Sequence, residues 1–221
     1  MKNTNNSETN KKESNNFKDK PKTLWKDIFD LVLGIIGFIL LSPILVIISV
    51  LVVFTSKGPA FFKQDRVGKN GRVFGIYKFR TMITNAEDVG LKLTIGDDPR
   101  ITSVGKVLRK YKLDELTQII NIVIGDMSFV GPRPEVPKYV AMYNPEQRKV
   151  LIVKPGVTDL ASIKFRNENE ILGKSKDPEK TYIEKIMPEK LRINLEYVEN
   201  ISLLNDIRLI LKTIKEVFFR S

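Results

Sequence analysis

Two adjacent acids, Asp114 and Glu115, sit in the string KLDEL of a 221-residue chain that contains no histidine and no cysteine. That absence excludes Ser-His-Asp triads, thiol nucleophiles, disulfides and zinc sites built from imidazole or thiolate. Carboxylates, lysines and hydroxyls remain, together with a hard, oxygen-liking cation such as magnesium. Acids in the first turn of a helix need no chemical role, because the backbone dipole already favours them there. Their neighbours suggest more. Arg109 lies five residues upstream, and Arg133 is held between two prolines in GPRP. Guanidinium groups match phosphate oxygens in a bidentate way. Two carboxylates and two arginines without histidine suit metal-assisted phosphoryl chemistry better than acyl transfer or glycoside hydrolysis.

The net charge of +11 points to an anionic partner, whether nucleic acid, phosphorylated substrate or anionic lipid. Composition does not choose among these. The length suits one domain with appendages.

The elements that must position the acids can be read from pattern. Thr102 or Ser103 caps a short helix running to about Tyr111. A second helix is expected to start near Asp114, with Leu116, Ile119, Ile120, Val123 and Ile124 on its buried side. Residues 61–82 contain Asn70-Gly71 between apolar runs, a hairpin signal. The hairpin would gather Lys63, Arg66, Lys78 and Arg80. A phosphate-binding role for these cations and a basic ribbon beside anionic lipid are equally compatible with that pattern. Residues 153–167 read as a loop with short extended pieces, and 173–190 as a solvent-exposed stretch. From Ser202 to Phe218, Leu203, Ile207, Ile210, Ile214 and Val217 recur at helical spacing. They predict a helix packed on the core, with a helix lying on a membrane surface as the alternative.

The first 22 residues, polar and nearly devoid of apolar side chains, predict a disordered tail without a secretory cleavage site. From Leu31 to Phe54 no residue is charged, and one straight helix of that length would measure about 36 Å, enough to span a bilayer. Pro43 interrupts it at the middle by removing the N–H that would bond the Ile39 carbonyl, and Ser42 can offer its hydroxyl there instead. Both flanks are basic, whereas a spanning helix would place one of them outside the cell. A re-entrant helix bent at Ser42-Pro43 keeps both flanks on one face. The organisation expected is a tail over 1–22, a re-entrant membrane helix over 23–56 and a cytoplasmic catalytic domain over 57–221, mainly α with a short β-hairpin.

Several strings together give a resemblance: LLSPILVI, GPAFFKQDRVGKNGRVFGIYKFRTM, DDPRITSVGKVLRKYKLDEL, IGDMSFVGPRPEV, KPGVTDLA and YVENISLLNDIRLILKTI. In this order and spacing the chain resembles the bacterial sugar transferases, more narrowly the small monotopic phosphoglycosyl transferases. The resemblance implies a monotopic protein of the cytoplasmic membrane, facing the cytoplasm, with a re-entrant helix broken at Ser42-Pro43. It implies transfer of a sugar 1-phosphate from a UDP-sugar to undecaprenyl phosphate, with Asp114 and Glu115 catalytic and holding Mg2+. Asp114 would attack phosphorus, kept ionised by the surrounding positive charge. Arg109, Arg133, Lys78 and Arg80 would bind substrate phosphates, and Arg166 the nucleotide. The chain departs from the family's usual strings at Lys112 and Thr117 beside the acids, and at Asp159 and Phe165 in the loop before Arg166. The partners implied are the UDP-sugar, the lipid phosphate and the inner leaflet, without nucleic acid; self-association is left open. Two rivals stand beside this reading: a non-enzymatic, membrane-anchored basic protein that binds nucleic acid or anionic lipid, and a nucleotide-sugar pyrophosphatase.

Overall fold

A computed structural model describes residues 24–84, 86 and 98–219; the expected polar tail lies outside them. The chain opens with α1 (Leu24–Thr55), followed by strands β1 (Phe61–Val67) and β2 (Val73–Phe79). Helix α2 (Ser103–Lys110), a 3-10 turn (Leu113–Glu115) and α3 (Gln118–Val123) come next, then β3 (Ser128–Val130) and α4 (Pro137–Val140). Strand β4 (Gly156–Thr158), α5 (Leu160–Lys164), α6 (Glu168–Gly173), α7 (Pro178–Thr181), α8 (Met187–Glu199) and α9 (Leu203–Phe219) complete it.

Helix α1 has 32 residues and is long and apolar enough to cross a membrane. It runs through Ser42 and Pro43 as one helical segment, so the expected break is a missing hydrogen bond inside the helix, not a gap between two helices. Ser42 Oγ donates to the Ile39 carbonyl at 2.8 Å, so the acceptor stripped of its N–H partner is satisfied. One stripe of α1 is buried by the rest of the protein: Lys26, Asp30, Gly34, Leu45, Ile48 and Val52. Gly34 and Gly37 let α3 approach closely, for a Cβ on either would stand 3.1 and 3.3 Å from Ile122 and Ile119 side-chain carbons. The other faces of α1, with Ile39, Leu40, Val46, Ile47 and Phe54, are exposed.

Both ends of this helix are tied to the same body. Near its start, Lys26 pairs with Asp206 at 2.5 Å, Asp27 with Lys154 at 2.8 Å, and Asp30 accepts from the Phe129 amide at 3.2 Å. At its end, Arg80 Nη2 donates to the Ser56 carbonyl at 2.7 Å and to Ser56 Oγ at 2.9 Å.

The hairpin forms as expected. β1 and β2 pair antiparallel from Phe61↔Phe79 to Val67↔Val73, and Asn70 and Gly71 turn the tip at φ 58 and 78. Phe74, Ile76 and Phe79 on β2 join Leu45, Ile48 and Val52 of α1 in the main core, with Leu108, Ile119, Ile122 and Met127. Each buried aliphatic or aromatic side chain there contributes about 1.5–3 kcal/mol. A second cluster, around Tyr139, Tyr182, Ile186, Met187 and Leu191, lies under α4 and α8. Part of the stretch expected to be solvent-exposed is therefore buried.

Two more expectations are corrected. On the expected apolar side Ile119 is buried and Leu116 and Ile120 pack against the core, but Ile124 is exposed, and Thr117, Gln118 and Asn121 are buried as well. The helix docks on β2 through hydrogen bonds of Thr117 and Asn121 as well as through its apolar contacts. In α9 the stripe Leu203, Ile207 and Ile214 is exposed, and Asp206, fully buried, faces inward. Asp206 holds Lys26 of α1 and accepts from Tyr197 Oη at 2.7 Å, so an ion pair fixes the roll of the helix and turns the aliphatic stripe out.

A short parallel pair, β3 with β4, brings GPRP against KPGV. Gly131 N donates to Thr158 O at 3.1 Å, and Gly156 N to Pro132 O at 3.0 Å. The backbones meet so closely that a Cβ on Gly156 would lie 2.1 Å from Gly131 N. Gly156→Ala is expected to lower stability by about 1–3 kcal/mol through overpacking at this crossing, read as a fall in Tm of the purified full chain.

Candidate active site

The acids stand on the 3-10 turn, not in the first turn of an α-helix. Lys112 precedes the turn in the left-handed region (φ 57), and α3 begins only at Gln118. Thr117 and Asn121 set the turn's position against β2. Thr117 Oγ1 donates to the Tyr77 carbonyl at 2.8 Å; Asn121 accepts from the Tyr77 amide and donates to the Gly75 carbonyl, both at 2.9 Å. Thr117, a departure from the usual string, thus ties the turn to β2 through its own hydroxyl.

Asn121 and Thr117 place Glu115 opposite Lys78 of β2. Glu115 Oε1 accepts from Lys78 Nζ at 3.0 Å and from Arg133 Nη2 in a short contact. Burial pushes the Glu115 carboxyl up, but Arg133 and Lys78 outweigh it and hold it well below the usual carboxylate range. Glu115 raises the Arg133 guanidinium in turn. Burial lowers Lys78, opposed by Glu115. Neither cation uses Glu115 Oε2.

Asp114 behaves differently. It is buried, and its Oδ1 is enclosed without a hydrogen-bond partner among the described residues. Burial and the adjacent Glu115 raise its pKa against the pull of Lys78, Lys112 and Arg109. Desolvation and a like charge thus oppose the surrounding cations expected to keep Asp114 ionised.

The other sequence candidates fall in different places. Arg109 is joined to the site by its charge on Asp114, while its Nε donates to Thr81 Oγ1 at 2.8 Å. Arg80, the residue after β2, has its hydrogen bonds at the end of α1 and none to the acids: its buried guanidinium donates to the Ser56 and Val52 carbonyls. Arg166 pairs with Glu216 of α9 at 3.4 Å on an exposed surface, with no bond to the acid pair. Ser42 and Pro43 remain in α1 as described. Arg66, named in the sequence only as a hairpin cation, belongs nearer the site: it donates to Pro134 O at 3.2 Å and pairs with Glu135, and its charge reaches Arg133 and Glu115. Asp159 caps α5 through the Ser162 amide at 2.6 Å, and its charge bears on Arg133. Sequence alone carried no signal for these two contacts, which depend on the crossing of β3 and β4.

Glu115→Gln leaves Lys78 and Arg133 without their anion. The expected cost is roughly 2–4 kcal/mol, below the ~3–5 of a fully buried pair because all three groups keep some exposure. Its folded pKa is depressed, so its contribution is complete above the unfolded value of 4.5 and is lost as pH falls through the folded one. Thermal melts from about pH 7 down to about pH 2 should show a flatter acid dependence for the variant than for the wild type.

A membrane-length helix bound at both ends to one basic domain, with an acid pair among phosphate-matching cations, defines the class of protein. A family model described as bacterial sugar transferase matches residues 21–220, and the chain belongs to that family. The chain is 37% identical over 191 residues to the UDP-N-acetylgalactosamine-undecaprenyl-phosphate N-acetylgalactosaminephosphotransferase of Aeromonas hydrophila, covering 85% of this chain and 42% of that protein. It is 34% identical over 221 residues to the undecaprenyl-phosphate galactose phosphotransferase of Salmonella typhimurium, covering 93% and 43%. With the exopolysaccharide production protein ExoY of Sinorhizobium fredii it shares 35% identity over 207 residues, covering 87% and 84%. The chain thus spans about two fifths of the first two relatives and most of the third.

Proposed function

We propose that the chain transfers a sugar 1-phosphate from a UDP-sugar to undecaprenyl phosphate, releasing UMP, as a first membrane step of surface glycan synthesis. The observation that carries this reading is the division of labour in the acid pair. Glu115 is bound by Lys78 and Arg133, whereas Asp114 has an enclosed oxygen committed to nothing. Donor and acceptor are taken from the names of the Aeromonas and Salmonella relatives.

Asp114 attacks the sugar-bearing phosphorus, and the bond from that phosphorus to the bridging oxygen breaks. UMP leaves with the electron pair. An oxygen of the lipid phosphate then attacks the same phosphorus and displaces the carboxylate, restoring Asp114. Two anionic substrates thereby use one site in turn. The raised pKa makes Asp114 a stronger nucleophile once ionised. Arg133, Lys78 and Arg109 orient phosphate oxygens and stabilise the charge that develops on them.

A hard divalent cation fits the residues present. Asp114 Oδ1 is orphaned, Glu115 Oε2 is unused by either cation, and magnesium commonly takes one or two carboxylates plus substrate phosphates. Asp114 and Glu115 would hold it. When bound, it supplies charge neutralisation at the pyrophosphate.

The ties at both ends of α1 support a re-entrant placement, with the domain on the cytoplasmic face. A helix crossing the bilayer would have to release either Lys26 and Asp30 or the cap from Arg80.

UMP release from a panel of UDP-sugars, with and without undecaprenyl phosphate, tests the reaction. Asp114→Asn is expected to abolish it, and a variant with near-normal release refutes the nucleophile. Chelation with EDTA should stop release and added Mg2+ restore it. Release of UMP with no lipid, turning over continuously, would mark a pyrophosphatase instead. For topology, cysteines introduced at Asn5 and Asn70 should be labelled from the same side of the membrane; labelling from opposite sides rules out re-entry.

A further inference from the structure

Tyr182 lies in the stretch that the sequence predicts to be solvent-exposed, yet only 5% of it is exposed. Between α7 and α8 the chain runs as a π-helical turn, Tyr182–Ile186. Pro188, just beyond, has no N–H to give the Glu184 carbonyl, so an ordinary helical bond is missing there. Turns of this kind are frequent at functional sites. The Tyr182 ring packs against Tyr139, with centroids 5.0 Å apart, and its hydroxyl donates to Glu135 Oε2 in a short contact. Burial and the charge of Glu135 push the phenol up, so it keeps the proton that it donates.

From Glu135 the contacts run toward Arg133. Glu135 Oε1 accepts from the Val136 amide at 2.7 Å and pairs with Arg66 Nη1 at 3.4 Å. Arg66 Nη1 also donates to the Pro134 carbonyl at 3.2 Å, and its Nη2 to Gln64 Oε1 at 2.7 Å. Arg133 stands between two prolines, which have no N–H, so its neighbours can be tied through the backbone only by their carbonyls. Both carbonyls are used: Pro132 O accepts from Gly156 N, and Pro134 O from Arg66. Arg66 is therefore one of two clamps on the arginine. The two guanidiniums repel each other, and each has a carboxylate of its own, Glu115 for Arg133 and Glu135 for Arg66. The Tyr182 hydroxyl fixes the second carboxylate.

We propose that Tyr182 is a positioning residue for Arg133, acting through Glu135 and through the bond from Arg66 to the Pro134 carbonyl. Without the hydroxyl, Glu135 is free to turn and Arg66 loses a fixed partner. The Pro134 carbonyl then loses a fixed donor, and the guanidinium that orients the substrate phosphate loses its aim. The inference rests on the transfer reading, with Arg133 as a phosphate contact. It extends the site to a side chain from the turn between α7 and α8.

The test is Tyr182→Phe in the full chain, which removes one hydroxyl and keeps the ring against Tyr139. UMP release is measured per folded molecule, well below the Tm of the variant. A phosphate contact out of aim should cost about 10-fold in kcat, with KM for the UDP-sugar within about 2-fold. In an Arg133→Lys background the same change should cost less than about 3-fold, because no guanidinium is left to aim. A hydroxyl that served only stability would cost the same factor in both backgrounds, and that result overturns the proposal. So does a Tyr182→Phe protein within about 3-fold of wild-type kcat, or one altered in KM alone. If Arg133→Lys turns over too slowly to measure, Arg66→Lys takes its place and the same outcomes decide. If Tyr182→Phe does not fold, Glu135→Gln is judged by the same criteria. Wild-type protein that releases no UMP from any UDP-sugar instead overturns the transfer reading, and this inference with it.

Discussion

The carboxylate of Glu115 joins segments that are distant in the chain. Lys78 reaches it from the hairpin and Arg133 from the loop after β3, while Glu115 itself sits on the turn that carries Asp114. Each of these charges would be costly to bury alone, and together they are mutually compensated. Removing any member leaves the others exposed to that cost. The remaining architecture serves to bring the three together: Thr117 and Asn121 lock the turn to β2, and the glycine crossing of β3 and β4 sets the Arg133 loop.

Asp114 and Gln118 stand outside this compensation. The protein closes around polar atoms that have no partner among the described residues, next to a Glu115 held by two cations. Such a local sacrifice of stability is common where a reaction uses the unsatisfied group. The contrast with Asn121, one turn along and fully bonded, shows that the fold is capable of satisfying an amide in this helix.

Helix α1, long and apolar enough to cross a membrane, is also part of the domain. Its buried stripe begins in charge, at Lys26 and Asp30, and continues in aliphatics at Leu45, Ile48 and Val52. The charged end reaches the site indirectly, because Asp30 holds the Phe129 amide and Tyr197, bound to Asp206, donates to the Val130 carbonyl at 3.2 Å. Arg133 follows three residues later. The long apolar helix and Arg133 therefore share a support.

The sequence by itself determined the local features: the hairpin at Asn70-Gly71 and the long apolar helix with Ser42 serving the carbonyl beneath Pro43. These rest on turn chemistry, hydropathy and short-range spacing, which are properties of neighbouring residues. It did not foresee the partners of Arg80 and Arg166 and turned α9 over, because a charged residue can bind substrate, cap a helix or pair across the fold with the same composition. Only the tertiary structure decided that Arg80 closes the end of α1, that Asp206 faces inward to Lys26, and that Glu115 is bound while Asp114 is not. Those outcomes depend on which desolvated charges meet across long stretches of chain, and pairing at a distance leaves no periodic trace in sequence.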